Sequence, residues 1–137
     1  MTREEALAKH LDCGLDEIAE DECWDKRFTA HRCDYYILTH DEATAMATEQ
    51  IKQTLWAFNA EFIAAHCKRG LSDDAIKAVR KAQESLCEGA NDLIESLIHD
   101  MDHFIEDAIR SDGIGHFIAS YDGNEHQVGE YLIYQLN

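Results

Sequence analysis

Residues 91–113, NDLIESLIHDMDHFIEDAIRSDG, hold two histidines four positions apart, His99 and His103, among seven carboxylates. Imidazoles at i and i+4 stand one turn apart on a helix and can share a metal ion, and HDMDH has the outline of the H-E-x-x-H zinc-protease motif. Aspartate is one methylene shorter than the glutamate that serves as base there, and no further ligand follows at a diagnostic spacing. A catalytic metal also needs a recessed site with an open coordination position. The same residues admit two other readings. One is a solvated face eased by the i,i+4 pairs Glu95–His99 and His103–Asp107. The other is an anionic surface recognised by a cationic partner. Further on, His116, Ser120 and Asp122 have the residue types of a catalytic triad. Without a nucleophile elbow, and with Asp122 at the start of a turn, they read as strand packing and turn residues.

The elements that must position these groups begin with residues 91–110 as one helix. At 100° per residue, Leu93, Ile94, Leu97, Ile98, Met101, Phe104, Ile105, Ala108 and Ile109 fill one arc of about 160°. Asp92, Glu95, Ser96, His99, Asp100, Asp102, His103, Glu106, Asp107 and Arg110 fill the opposite arc, so the helix is half-buried with both histidines on its wet side. Glu106 and Asp107 fall in the last turn, where the helix dipole favours cations, and each costs about 0.3–1 kcal/mol there. Arg110 offsets only part of this. Acids kept where they destabilise the helix point to a demand from outside it.

The charge of the whole chain is uneven. Residues 1–25 carry nine acids against Arg3 and Lys9, residues 26–89 carry nine acids and nine bases, and residues 90–137 carry ten acids against Arg110 alone; net −7, zero and −9 make up the formal −16. A small domain needs a net charge of only about 2–8 for solubility, and self-repulsion beyond that opposes compaction. The 45 % apolar content of 137 residues is enough for one folded domain. Five cysteines, odd in number and without a C-x-x-C pair, match a reducing compartment. The charged MTREEALAKH start does not have the form of a signal peptide, and no apolar run reaches the roughly 18 residues of a membrane span. Nucleic acid is not the expected ligand, because the bases form only a modest group (Lys52, Lys68, Arg69, Lys77, Arg80, Lys81). A protein that normally holds nucleic acid is a better match. Acids recurring about every 5 Å along one helix are too dilute to imitate a duplex with one charge per about 1.7 Å. A second stripe in LDEIAEDECWD, with Glu17, Glu20 and Asp21 foremost, would have to lie beside the first.

The remaining pattern predicts an α+β fold: several helices on one face of a small three-stranded antiparallel sheet, ending in a β-hairpin, in a single domain over 1–137. A short helix covers residues 1–10, with Gly14 a break, and LDEIAEDECW carries an apolar stripe of Leu15, Ile18 and Ala19. CDYYILT is a strand candidate. Thr39 and Glu42 form a T-x-x-E capping box opening a helix that runs on through AEFIAAHCKRG to Gly70. Ser72 caps the next helix. The strands are expected at 34–39, 116–121 and 131–136, the last two flanking a turn-rich DGNEHQVG. Gly113 and Gly115 permit a tight turn with positive φ.

The segment DGIGHFIASYDGNE, followed by the terminal EYLIYQLN, resembles the C-terminal signature of a family of small acidic proteins encoded by bacteriophages. YYILTHDEATAMATEQIKQTLWAFNAEFIAAH is similar to that family's strand, its EEA helix start and its LWAFN segment. The resemblance covers roughly residues 34–67 and 111–137. It departs at Ile114, where the family pattern has arginine, and at HDEA, where it has a doubly acidic start. It implies a phage origin and a host-cytoplasm setting, with no reaction attached. It also marks a signature turn of Asp112, Gly113, Gly115, His116, Tyr121, Asp122 and Glu125, serving either recognition or the fold.

The expectation is thus an acidic inhibitor of a host nucleic-acid-binding or defence protein, of the anti-restriction or anti-CRISPR kind, without cofactor or catalytic residue. Its partner-facing groups would be Asp92, Glu95, His99, Asp102, His103, Glu106, Glu17, Glu20 and Asp21, and it would be a monomer or homodimer in the host cytoplasm. The alternatives are a metal-binding protein or hydrolase using His99 and His103, and an assembly partner dimerising through an apolar face at Trp24 or Trp56.

Overall fold

The computed structural model describes residues 1–137. Its helices are α1 (Arg3–Leu11), α2 (His40–Gln53), α3 (Ala60–Ala65), α4 (Asp73–Leu86), α5 (Asn91–Leu97), α6 (Met101–Asp112) and α7 (Ile114–Ile118). Its strands are β1 (Ile18–Glu20), β2 (Arg27–Ala30), β3 (Cys33–Leu38), β4 (His126–Val128) and β5 (Tyr131–Gln135). No helix is long and apolar enough to cross a membrane. The fold is α+β, and the antiparallel sheet has five strands in the order β1-β2-β3-β5-β4 where the sequence pattern predicts three. The chain divides into two compact units, residues 1–47 with 112–137, and residues 48–111.

The first unit contains the sheet. Thr2 Oγ1 accepts the Glu5 N–H to start α1, and Asp12, in the left-handed region at φ 52°, ends it. Ala6 and Leu7 of α1 join Phe28, Ala30, Tyr35, Ile37 and Ile133 in one core cluster. Because Leu38, Leu132 and Tyr134 are buried as well, and side chains alternate along a strand, the central strands are covered on both faces, not on the single face expected. Their near-continuous apolar runs, YYIL and LIY, are the local sign of this. The predicted capping box forms: Thr39 N–H donates to Glu42 Oε2 (2.9 Å) and Glu42 N–H to Thr39 Oγ1 (3.3 Å). Glu42 also takes a two-pronged bond from Arg3 (2.9 Å on each oxygen), while Arg3 donates to the Ile37 carbonyl at 2.7 Å. One carboxylate thereby ties α1, β3 and the start of α2 together.

One expected strand is lost and three are gained. The stripe in LDEIAEDECW belongs to a 3₁₀ turn and edge strand β1, which pairs with β2. β2 turns into β3 through His31 and Arg32, both at positive φ (50° and 67°). That is the type I′ hairpin geometry usually signalled by Asn-Gly or Asp-Gly, and neither residue announces it. The expected strand at 116–121 is instead the helical turn α7 followed by tight turns. β5 pairs with β4, drawn from the stretch read as a loop, across the two residues Gly129 and Glu130. Gly129 at φ 61° supplies the positive dihedral of that turn.

The second unit is helical. The helix expected to run from Thr39 to Gly70 ends at Gln53. A 3₁₀ turn (Leu55–Ala57) follows, and Asn59 Oδ1 caps α3 by accepting the Glu61 N–H at 2.8 Å. Ser72 caps α4 as predicted (Ala75 N–H to Oγ, 3.2 Å), and Gly70 before it sits at φ 68°. Ile51, Leu55, Ile63, Ile94, Phe104 and Ala108 are fully buried or nearly so. Asn91 accepts the Trp56 N–H at 2.9 Å and donates to the Gln53 carbonyl at 2.7 Å, fastening the start of α5 to the 3₁₀ turn.

Candidate functional site

The helix predicted over 91–110 is broken. Ile98 is extended (φ −72°, ψ 125°) and bridges to Cys67, and the His99 N–H donates to the His66 carbonyl at 2.9 Å. Asp100 then restarts the chain as α6, its Oδ1 accepting the His103 N–H at 3.2 Å. The N-cap signal was present in the sequence, an aspartate three residues before the N–H that it caps. The regular apolar periodicity on both sides concealed it. His99 therefore sits in the bend and not one helical turn from His103, so the HDMDH pairing does not form. The acidic stripe is likewise split between α5 and α6.

The imidazole that joins His103 is His66, at the end of α3. Its Nε2 lies 3.1 Å from Asp107 Oδ2, and His103 Nε2 lies 3.5 Å from the same oxygen. The other carboxylate oxygen, Oδ1, accepts from Arg110 at 3.0 Å, which fixes the rotation of the group. The His66 side chain is only 8 % exposed, Asp107 26 % and His103 57 %. Phe62 and Phe104 wall His66, each with ring centroids 5.1 Å away, and the two imidazole centroids are 5.2 Å apart. The sequence pattern puts Glu106 and Asp107 in the last turn of a helix ending at 110, but α6 runs to Asp112, so both lie mid-helix, clear of the C-terminal dipole. Asp107 is held there by three cationic or proton-bearing side chains. His66 could not be picked out by spacing, since its partners lie 37 and 41 residues along the chain.

The other acids divide by what they touch. Asp92, Glu95, Asp102 and Glu106 are exposed and make no ion pair, and Asp102 and Glu106 share one face of α6. In the first unit, Glu17 accepts the Gly14 N–H (2.8 Å) and faces His31 Nε2 (3.2 Å), contacts that hold its carboxyl below the usual range. Asp21 accepts the Cys23 and Trp24 N–H groups (2.8 and 3.2 Å) and lies 3.7 Å from Arg27. Glu20, on edge strand β1, is exposed and unpaired. Cys13, Glu17 and His31 form a second group with metal-ligand atoms close together, two of the three exposed. Trp24 is 58 % exposed, while Trp56 is half-buried with its indole N–H unpartnered.

The signature turn is built from backbone demands. Gly113 (φ 83°) and Gly123 (φ 71°) occupy the left-handed region, and a Cβ on Gly115 would stand 2.5 Å from the Gly123 carbonyl oxygen. Gly115 is therefore needed for close approach and not for positive φ. Ser120 Oγ donates to the Leu136 carbonyl (2.8 Å), Asp122 Oδ1 accepts the Asn124 N–H (3.0 Å), and the buried Tyr134 hydroxyl donates to Glu125 (2.5 Å). Burial and the Glu125 carboxylate together push the Tyr134 phenol far up. His116, Ser120 and Asp122 are not hydrogen-bonded to one another, so no triad is assembled. Asp112, His116 and Tyr121 are exposed.

Comparison of the chain with protein-family models, with characterised proteins and with solved structures gives no match.

Proposed function

We propose that this chain is an acidic inhibitor that occupies the basic groove of a host nucleic-acid-binding or defence protein, such as a restriction or CRISPR effector. Its carboxylates meet the lysines and arginines that would otherwise hold phosphates. The observation that carries the reading is the set of exposed, unpaired carboxylates Asp92, Glu95, Asp102 and Glu106. They persist in a chain already at −16, beside an Asp107 that is internally engaged. Glu20 offers a similar group on the other unit, whereas Glu17 and Asp21 are largely occupied by local bonds. The similarity of the tail to small acidic phage proteins supports the setting, the host cytoplasm. No catalytic step and no cofactor belong to this reading.

Attraction between an anionic surface and a basic groove is screened by salt and releases counterions from the partner. A pull-down from host lysate supplies the partner, whose affinity is then measured at about 50 and 200 mM salt. The expected result is tight binding at the lower salt, steep loss at the higher, and loss in the variant Asp92→Asn, Glu95→Gln, Asp102→Asn, Glu106→Gln. Equal affinity of variant and parent removes these carboxylates as the binding surface.

A further inference from the structure

We propose that His66, His103 and Asp107 form a binding site for a zinc-class divalent cation, independent of any partner recognised by the acidic surface. Three features carry the assignment. Two imidazole nitrogens from different elements, the end of α3 and the first turn of α6, converge on one carboxylate oxygen at 3.1 and 3.5 Å. A tetrahedral ion with bonds of about 2.0–2.1 Å places its ligand atoms about 3.3 Å apart, so both separations are near those of a coordination shell. The third separation, between the two nitrogens, is also within 4.8 Å.

The surroundings have the makeup of a metal site as well. Arg110 holds Asp107 Oδ1 and leaves Oδ2 directed at the histidines, which is how an outer partner orients a ligand. Phe62, Phe104 and burial immobilise the His66 ring on the inner side. His103 is more than half exposed, so ions can enter from solvent and the remaining coordination positions face water. Two nitrogen donors and one carboxylate select zinc, nickel, cobalt or copper ions over magnesium or calcium, which take oxygen ligands. A bound ion would fasten the end of α3 to α6 and offset the negative charge of that surface.

The test uses tag-free full-length protein carrying Cys13→Ala, so that the Cys13/Glu17/His31 group does not contribute, titrated with zinc ion by calorimetry near neutral pH. One equivalent should bind. His103→Ala and Asp107→Asn should each weaken binding more than about a hundredfold, beyond the cost of losing an outer-shell partner, with circular dichroism unchanged. His99→Ala should leave it unchanged. Because His66 is nearly buried and its alanine variant is prone to misfold, the exposed His103 carries the decision. Absence of a one-to-one zinc complex, retention of binding in His103→Ala, or its loss in His99→Ala overturns the assignment.

Discussion

Replacing Glu42 with glutamine keeps its shape and removes its charge, and the structure sets the size of the effect. The Arg3 guanidinium first, then the Thr39 N–H and Lys26, hold the carboxyl down from 4.5 to about 2 against the opposing effect of burial. At 1.36 kcal/mol per pKa unit this is about 3 kcal/mol, trimmed to about 2–3 kcal/mol because the side chain is one-quarter exposed. A depressed carboxyl stabilises the fold above its unfolded value of 4.5, and that stability drains away as pH falls through the folded value near 2. At pH about 3, between the two, roughly 1 kcal/mol remains. Hydrogen exchange across β3, read by mass spectrometry, reports the sheet-bearing unit alone. Glu42→Gln should accelerate it at neutral pH by about 30- to 150-fold, and by much less near pH 3. Acceleration below about threefold at neutral pH, or an equal effect at both pH values, refutes the reasoning.

Gly115→Ala should destabilise the first unit by about 1–3 kcal/mol, because the obstacle at 2.5 Å is backbone. His116→Ala, at an exposed position, should change stability by less than about 0.5 kcal/mol; urea denaturation of the pair tells a signature that serves the fold from one that serves recognition. Tyr134→Phe removes the hydroxyl that donates to Glu125 and should cost about 1.5 kcal/mol in the same assay. A negligible loss would show that the bond contributes nothing net.

How far the sequence was legible follows from how local each signal is. Thr39 with Glu42, Ser72 and the CDYYILT strand act within a few residues and appear where expected. The His31–Arg32 turn is not legible in the sequence, because nothing in its residue types signals the left-handed backbone it adopts. HFIAS alternates as a strand would, yet residues 114–118 form the helical turn α7, with the Gly115 backbone close against the Gly123 carbonyl. Periodicity carried the 91–110 segment straight through a break made by a distant chain segment, Cys67 pairing with Ile98. Two of the three residues of the candidate metal site are therefore legible in the sequence: His103 and Asp107 share a helix, but His66 reaches them only through the tertiary fold.

Competition for a basic groove is most directly measured by displacement. A labelled DNA duplex is bound to the captured effector at about 50 mM salt, and this protein is added in increasing amounts. Bound DNA should fall with rising protein, and should not fall with the four-carboxylate variant at the same concentrations. A stable ternary complex of effector, DNA and this protein, or equal displacement by the variant, contradicts it.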